Sequence, residues 1–472
     1  MSHFTYEELL NAPRGQAVTA ASPFEAARLW TDTRTLQPGD FFLPLSGERF
    51  DGHDYLEQAF ASGAVGAFVK QEKVQQHPEW QRFPNLLAVE EPVQAYLDMA
   101  RLHREKINPI VIAVTGSSGK TTSKEMLAAA FSPLRKTVKT EKNFNNEVGV
   151  SQTLLALQPG TEILIVEMGM RGLRQISILS EAAKPDVALI VNVGPAHIGL
   201  LGSLENIAKA KLEIAEGMEP AKGQLVLCGD SKPLAELAPQ LWPGKQIAYH
   251  LSEAEDLQIW MQDGHTGVRF TYQETPIFLP VVGDHMVSNA LGVLKVGEAL
   301  GFSPAELARG LAQFVPEAGR GERTALRGYQ NAWTVNDAYN ANPDSTIASL
   351  KAFLSLPCDG LNRVLVLGGM KELGNFSQAY HEELGQWLAK QAGIAQLVTI
   401  GEEGHWMADS ARTAAYPIFA ADTVQDAIDH LSRHSLDNTI LYLKGSRAYR
   451  LDEIPQALAA ARMTNVQMGE AL

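Results

Sequence analysis

The sequence predicts an α/β protein of three domains, spanning residues 1–103, 104–316 and 317–472. Three observations carry that expectation. The chain has 472 residues, too many for one ordinary core and a natural length for about three. Short apolar runs alternate with helical patterns along most of the sequence, as in sheets covered by helices. A Gly- and Arg-rich stretch, Pro316-Glu-Ala-Gly-Arg-Gly-Glu-Arg323, then reads as a linker before the alternation resumes.

In the first domain, Asp40-Phe-Phe-Leu-Pro-Leu45 and Gly63-Ala-Val-Gly-Ala-Phe-Val69 read as strands around a helical Tyr55–Ala61. A polar patch from His77 to Pro84 and a helix near Val93–Glu105 close this small α/β unit. The second opens on Pro109-Ile-Val-Ile-Ala-Val-Thr115, apolar on both alternating faces, as a strand buried on both sides must be. A helix from about Thr121 to Phe131 follows, then strands at Glu162–Glu167 and Val187–Asn192, the order of a parallel sheet. In the third, Arg363–Gly368, Gln396–Gly401 and Thr439–Lys444 read as strands, with helices at Tyr380–Gln391 and Thr423–His434. That is Rossmann-like, but no Gly-x-Gly-x-x-Gly fingerprint accompanies it, so no dinucleotide is assigned.

Composition narrows the function classes. Hydrophobic residues at 45% and charged residues at 20% describe a folded chain rather than a disordered one. A net charge of −14 argues against a nucleic-acid or anionic-membrane binder, while leaving room for a locally basic pocket that takes small anions. Cys228 and Cys358 are far apart and match no metal spacing. The first residues lack the basic and apolar regions of a signal peptide, and no apolar run approaches the ~20 residues of a membrane span. A cytoplasmic protein without membrane insertion is expected.

Gly116-Ser-Ser-Gly-Lys120-Thr121 lies between the buried strand and the following helix. Glycines allow a tight turn whose N–H groups, with the helix N-terminus, converge on an anion. Gly116, Ser117, Ser118, Gly119, Lys120, Thr121 and Thr122 are therefore candidates for phosphate binding. Lys120 would meet the outer phosphates and Thr121 would offer a hydroxyl to Mg²⁺. The full Walker A pattern wants glycine where Val114 stands, so this is a shorter variant. The plain alternative is an ordinary Gly/Ser turn with an exposed lysine.

Glu167 ends one strand and His197 follows the next, both where metal ligands beside a phosphate loop are found. Singly, each would more often be a cap or a satisfied polar group. Ser203 caps an amphipathic helix through Ala215, on which Lys211 falls with Leu204, Ile207, Ala208 and Ala215 on the apolar side. Spacing leaves two readings open: a snorkelling lysine, or an amine of lowered pKa put to use.

Together these motifs resemble a known family. Val114–Thr122, Lys142-Asn-Phe-Asn-Asn-Glu-Val-Gly-Val150, Val166-Glu-Met-Gly169, Ala196-His197 and Ala210-Lys-Leu-Glu-Ile214 look like the Mur ligases of peptidoglycan synthesis. Asp337-Ala-Tyr-Asn-Ala-Asn-Pro343 and the tail Leu443-Lys-Gly-Ser-Arg447 are similar to the MurF branch, and Thr31–Phe42 with Asp51-Gly-His-Asp54 to the family's UDP-sugar domain. The resemblance covers nearly the whole chain. It implies a UDP-sugar-binding domain, a central ATPase-like domain and a Rossmann-like acceptor domain, acting as a monomer. It implies that a carboxylate of UDP-MurNAc-tripeptide is phosphorylated by ATP, and that the amine of D-alanyl-D-alanine then displaces phosphate.

By the same resemblance Lys120 and Thr121 hold phosphates and one Mg²⁺, Glu167 is a further metal ligand, and His197 serves a second Mg²⁺. Lys211 matches the family lysine that is carbamylated. Asn145 and Asn146 match the Asn-Asn element at the nucleotide and metal site, and His285 and Asn289 the segment beside adenine. Arg320 and Arg323 would reach nucleotide phosphates on closure. Asp337 would contact ribose, with Asn340 and Asn342 near nucleotide and acceptor, and Thr33, Arg34 and His53 would meet the UDP-sugar. Two departures lie on the acceptor side: Asn336-Asp-Ala338 replaces the usual Asp-Asp-Ser, and Gly369, followed by Lys371, stands where aspartate is frequent. The alternatives are another Mur-type or folylpolyglutamate-type ligase, a nucleotide-dependent binding protein that lost ligation, and a plain P-loop kinase. The Asp337 motif disfavours the first, the retained Glu167, His197 and Lys211 the second, and the third domain the last.

Overall fold

The apolar run after Pro109 forms the strand Ile110–Thr115, hydrogen-bonded in parallel to Ile163–Glu167 on one side and Val187–Ile190 on the other. The computed structural model to which it belongs describes residues 3–19, 24–47, 49–262, 265–357 and 360–469, so Cys358 lies outside the described residues. This strand sits inside a six-stranded parallel sheet completed by Thr137–Lys139, Gln224–Cys228 and Lys245–Tyr249. Its period-two pattern explains the burial. Val111 and Ala113 enter the core on one face of the sheet, and Ile112 and Val114 the core on the other.

The chain adds strands first on one side of Ile110–Thr115 and then crosses to the other, which opens a crevice at the carboxyl ends of these strands. Lys120 at the start of the following helix, Glu167 at the end of its strand and His197 just before a short helix all lie at that edge.

Two other sheets flank this one. Gly66–Lys70 pairs in parallel with Phe41–Phe42 and Leu86–Val89 in a five-stranded sheet near the N-terminus, with the helix Pro92–Ile107 leading onward. Phe41 and Phe68 face one core of this unit, and Phe42, Val69 and Trp80 the other. The C-terminal sheet runs Glu322–Ala325, Trp333–Asn336, Thr439–Lys444, Asn362–Gly368, Gln396–Ile400, Ile418–Ala421, parallel except for its first strand. Asn336 lies opposite Leu443, so Asp337 and Lys444 leave neighbouring strands side by side.

Three details differ from the sequence expectation. The linker ends sooner, because Glu322 and Arg323 already belong to an edge strand. The helix capped by Ser203, whose hydroxyl accepts from the Asn206 N–H, is α-helical over Leu204–Leu212 and tightens to a 3₁₀ turn at Glu213–Ala215. An antiparallel meander of Glu255–Gln262, His265–Tyr272 and Thr275–Leu279 interrupts the strand–helix alternation. It seals the central core with Val268, Phe270, Tyr272, Ile277 and Leu279. No helix among the described residues is long and apolar enough to cross a membrane.

Candidate active site

Gly119 begins the site, with φ +75°, a conformation glycine adopts without steric cost. A Cβ there would lie 2.8 Å from Asn289 Oδ1, so the loop also needs a bare backbone against the helix Asp284–Ala299. The helix Lys120–Phe131 starts at the next residue and has no side-chain cap. Its first-turn N–H groups are therefore free to meet an anion. The N–H groups of Ser117 and Ser118 donate to Asn192 Oδ1, at 3.1 and 3.0 Å. Asn192 Nδ2 returns a bond to Ser118 Oγ, and Ser117 Oγ donates to the Gly194 carbonyl at 2.9 Å. The loop is thus tied to the segment that leads to His197.

The ammonium of Lys120 donates to the Gly116 carbonyl at 2.7 Å. Its surroundings push its pKa down through lost solvation, with Glu167 opposing and Arg320 adding to the effect. Glu167 is buried. Its Oε1 accepts from Asn145 Nδ2 at 2.9 Å, while Oε2 has no hydrogen-bond partner among the described residues. Asn146 caps the helix Glu147–Leu155, accepting from the Gly149 N–H at 3.0 Å. Below the loop, buried Lys124 donates to the Lys142 carbonyl and to Glu317 Oε1, and lies 4.0 Å from Glu167 Oε2.

The C-terminal part of the chain closes over this edge. Arg320 Nη2 donates to Thr121 Oγ1 at 2.9 Å, and its guanidinium lies over the Tyr339 ring, whereas Arg323 lies over Trp333. Asp337 Oδ2 accepts from Lys444 Nζ at 2.7 Å and from the Tyr442 hydroxyl at 2.9 Å. Burial lowers the pKa of His285, against the nearby Asp337 charge. Lys444 also reaches the Asn340 carbonyl, and Asn342 caps the helix Pro343–Ser355. One cleft of about 1270 Å³ is lined by Ser117, Ser118, Gly119, Lys120, Thr121, Thr122, Asn145, Asn146, Glu167, His197, His285, Asn289, Arg320, Arg323, Asp337, Asn340 and Asn342.

Lys211 sits just outside that lining, 2% exposed. Among the described residues its ammonium finds no hydrogen-bond or ion-pair partner. Burial, and then the charge of Lys120, hold its pKa well below the ordinary lysine value.

Comparison with known proteins supplies the frame for this cleft. Residues 27–107 match the catalytic domain of the Mur ligase family, 114–297 the Mur ligase middle domain, and 319–447 its glutamate ligase domain. The chain belongs to the Mur ligase family. It is 34% identical over 437 residues to the UDP-N-acetylmuramoyl-tripeptide–D-alanyl-D-alanine ligase of Bacillus subtilis (strain 168), covering 91% of this chain and 92% of that one. It is 32% identical to the ligase of the same name from Escherichia coli (strain K12), covering 97% and 99%. A crystal structure of MurF from Acinetobacter baumannii superposes with a TM-score of 0.86 at 28% identity, covering 98% of this chain and 99% of that one. MurF from Thermotoga maritima in complex with ADP gives 0.80 at 26%, covering 93% and 98%. These relatives place the chain in the MurF branch of the Mur ligases.

Within this Mur ligase, the first-domain candidates stand apart from the cleft. Thr33 Oγ1 donates to Gln58, and Arg34 pairs with Asp32 at 2.7 Å on the surface. His53 is buried, with Nδ1 2.6 Å from Asp51 Oδ1, Nε2 accepting from the Lys70 N–H at 2.9 Å, and its ring stacked on Trp80. Both ring nitrogens have partners within this domain. Burial brings its pKa down to about 4 from an ordinary 6.5. The unfolded chain therefore binds a proton first as pH falls, and the stability contributed by neutral His53 declines between pH 6.5 and about 4. Denaturant midpoints across this window should fall more steeply for the natural protein than for His53→Gln.

Sequence reasoning missed several groups here. Asn192 and Lys444 stood inside quoted motifs without a role, and Lys124 and Glu372 carried no signal beyond proximity to one. The departure at Gly369 finds its reason: a Cβ there would lie 2.7 Å from the Tyr449 hydroxyl and 2.8 Å from Glu403 Cβ. Glu403, paired with Lys371 and Tyr449, fills the space an aspartate would take.

Proposed function

We propose that this chain is an ATP-dependent ligase that joins D-alanyl-D-alanine to UDP-N-acetylmuramoyl-tripeptide, yielding the pentapeptide precursor of peptidoglycan, ADP and phosphate. The single observation that carries the reading is the shared cleft. A phosphate loop with a buried metal-type carboxylate faces Arg320 and Asp337 from the C-terminal part of the same chain. A kinase has no need of that second wall, and the MurF relatives match this chain along nearly their full length. In this reading the domains are 1–103 for the UDP-sugar, 104–316 for ATP and 317–472 for the acceptor. In the same reading the enzyme is a cytoplasmic monomer, consistent with one chain supplying both walls of the cleft.

The chemistry follows from the weakness of a carboxylate as an electrophile. A tripeptide carboxylate oxygen attacks the γ-phosphorus of ATP, ADP leaves, and the acyl phosphate forms. The dipeptide amine attacks its carbonyl carbon, loses a proton, and phosphate departs as the amide closes. Lys120 and Arg320 neutralise charge on the transferring phosphoryl group. Asp337, which accepts from Lys444 and Tyr442, would accept from ribose hydroxyls.

Magnesium fits this donor set. Glu167 Oε2 is buried with no hydrogen-bond partner among the described residues, and Thr121 lines the same cleft. No group of three or more His, Cys, Asp or Glu side chains among the described residues could hold a metal alone. That agrees with Mg²⁺, which takes one or two protein ligands and completes its shell with phosphate and water. Thr121 and Glu167 would hold one ion. His197 and Lys211, as its carbamate, would serve a second, and bound Mg²⁺ would supply charge neutralisation at the phosphates.

The deciding assay is phosphate release from ATP with UDP-MurNAc-tripeptide, with and without D-alanyl-D-alanine. Release coupled to amide product is expected only when the dipeptide is present. Equal release without it, and no amide, would defeat the ligase reading.

A further inference from the structure

A histidine that binds a metal through one ring nitrogen is usually fixed in tautomer and orientation by a carboxylate or carbonyl at the other. His197 follows a strand of the central sheet, yet the group at its Nδ1 comes from the C-terminal sheet. Glu372 Oε2 lies 2.5 Å away, on the loop after Asn362–Gly368. The contact lacks aligned hydrogen-bond geometry, and Nδ1 has no other partner among the described residues. Among the described residues Glu372 is therefore the group at hand to set the ring of His197, which lines the cleft.

The backbone is built to bring these two side chains together. His197 and Glu372 both adopt left-handed conformations, φ 64° and 65°, which few non-glycine residues do. Strain of this kind persists only where the surrounding contacts enforce it. Here the Gly199 N–H donates to the Glu372 carbonyl at 3.2 Å. A Cβ on Gly199 would sit 2.5 Å from the Gly374 nitrogen, so the two loops meet backbone to backbone. Any side chain at residue 199 would drive them apart.

We infer that Glu372 is a positioning residue for the second metal, reaching His197 only when the C-terminal sheet closes on the central one. Closure and metal-site assembly are then a single event, and a nucleotide bound in the open form lacks an oriented His197. The inference rests on the ligase reading with His197 as a metal ligand. The bland alternative is a half-exposed ion pair, which contributes little.

Mn²⁺ binding, followed by electron paramagnetic resonance in the presence of a non-hydrolysable ATP analogue and UDP-MurNAc-tripeptide, separates these readings. The natural protein should bind two Mn²⁺. Glu372→Ala should keep the first and weaken the second by about 10–100-fold, the usual loss for an orienting partner of a metal ligand. Glu372→Gln, which keeps an acceptor at Nδ1, should recover part of that loss, and Gly199→Leu should copy Glu372→Ala with both side chains intact. Turnover of Glu372→Ala should be low at limiting Mg²⁺ and rise at high Mg²⁺, with KM for ATP and the thermal midpoint unchanged. Second-site affinity equal to the natural protein in Glu372→Ala would overturn the inference. A natural protein that binds one Mn²⁺ would instead overturn the metal role of His197, and the inference with it.

Discussion

Replacing Lys120 by methionine is expected to lower kcat by about 10²–10³-fold, the usual loss when one preorganised charge donor is removed from a transition state. The ammonium rests on the Gly116 carbonyl, at the mouth of a helix whose first N–H groups are unpaired. Lost solvation makes its charge costly in the ligand-free protein, which is why its pKa is lowered. A phosphoryl group leaving ADP supplies the counter-charge that solvent does not. Methionine keeps the length and packing of the stem, so nucleotide affinity should change far less than turnover. Arginine should not substitute, because a planar guanidinium cannot occupy the space of a compact ammonium against the Gly116 carbonyl. Rapid-quench measurement of phosphate formation, alongside calorimetric nucleotide binding, tests this. A kcat within threefold of the natural enzyme would remove Lys120 from the chemistry.

The second large effect is expected at Lys211. Lys211→Ala should lose about 10²-fold or more of activity, and short-chain carboxylic acids should restore part of it. Carbamate forms when a neutral amine attacks CO₂, so the lysine must shed its proton near neutral pH. Burial first, and the Lys120 charge second, lower the pKa of Lys211 and enlarge the neutral fraction at a given pH. Modification then turns the repulsion between two cations into attraction between opposite charges. Enzyme prepared free of CO₂ should be slow and recover on adding bicarbonate. An alanine variant that stays active and gains nothing from added acid would sink this account.

How much of this was legible in the sequence depended on whether the signal was local. The strand Ile110–Thr115 announces itself, since every residue from Val111 to Thr115 is buried and apolar residues must then appear without alternation. The Gly119 turn, the Ser203 cap and the placement of Lys211 were equally readable, because each is settled within one turn of helix. The meander at Glu255–Leu279 was missed, although Phe270, Tyr272, Ile277 and Leu279 show alternation. Its strands carry exposed Leu257 and Ile259, which blur the two-residue period. Long-range pairings left no trace. Arg320 meets Thr121 across 199 positions, and Glu372 meets His197 from another sheet. His53 shows the reverse case, a polar residue in a loop motif whose ring nitrogens are both taken up inside its own domain.

Asn192 has a thermodynamic consequence for nucleotide recognition. By fixing the Ser117 and Ser118 amides and the Ser118 hydroxyl, it orders the phosphate loop during folding, before any ligand arrives. A flexible glycine loop would have to surrender about 1–2 kcal/mol of backbone entropy per residue at the moment of binding. This loop has already done so, and most of the free energy of its contacts with phosphate remains available as affinity and rate. Nucleotide binding to it should show a smaller entropic penalty than binding to Asn192→Ala, whose loop must be ordered by the ligand itself.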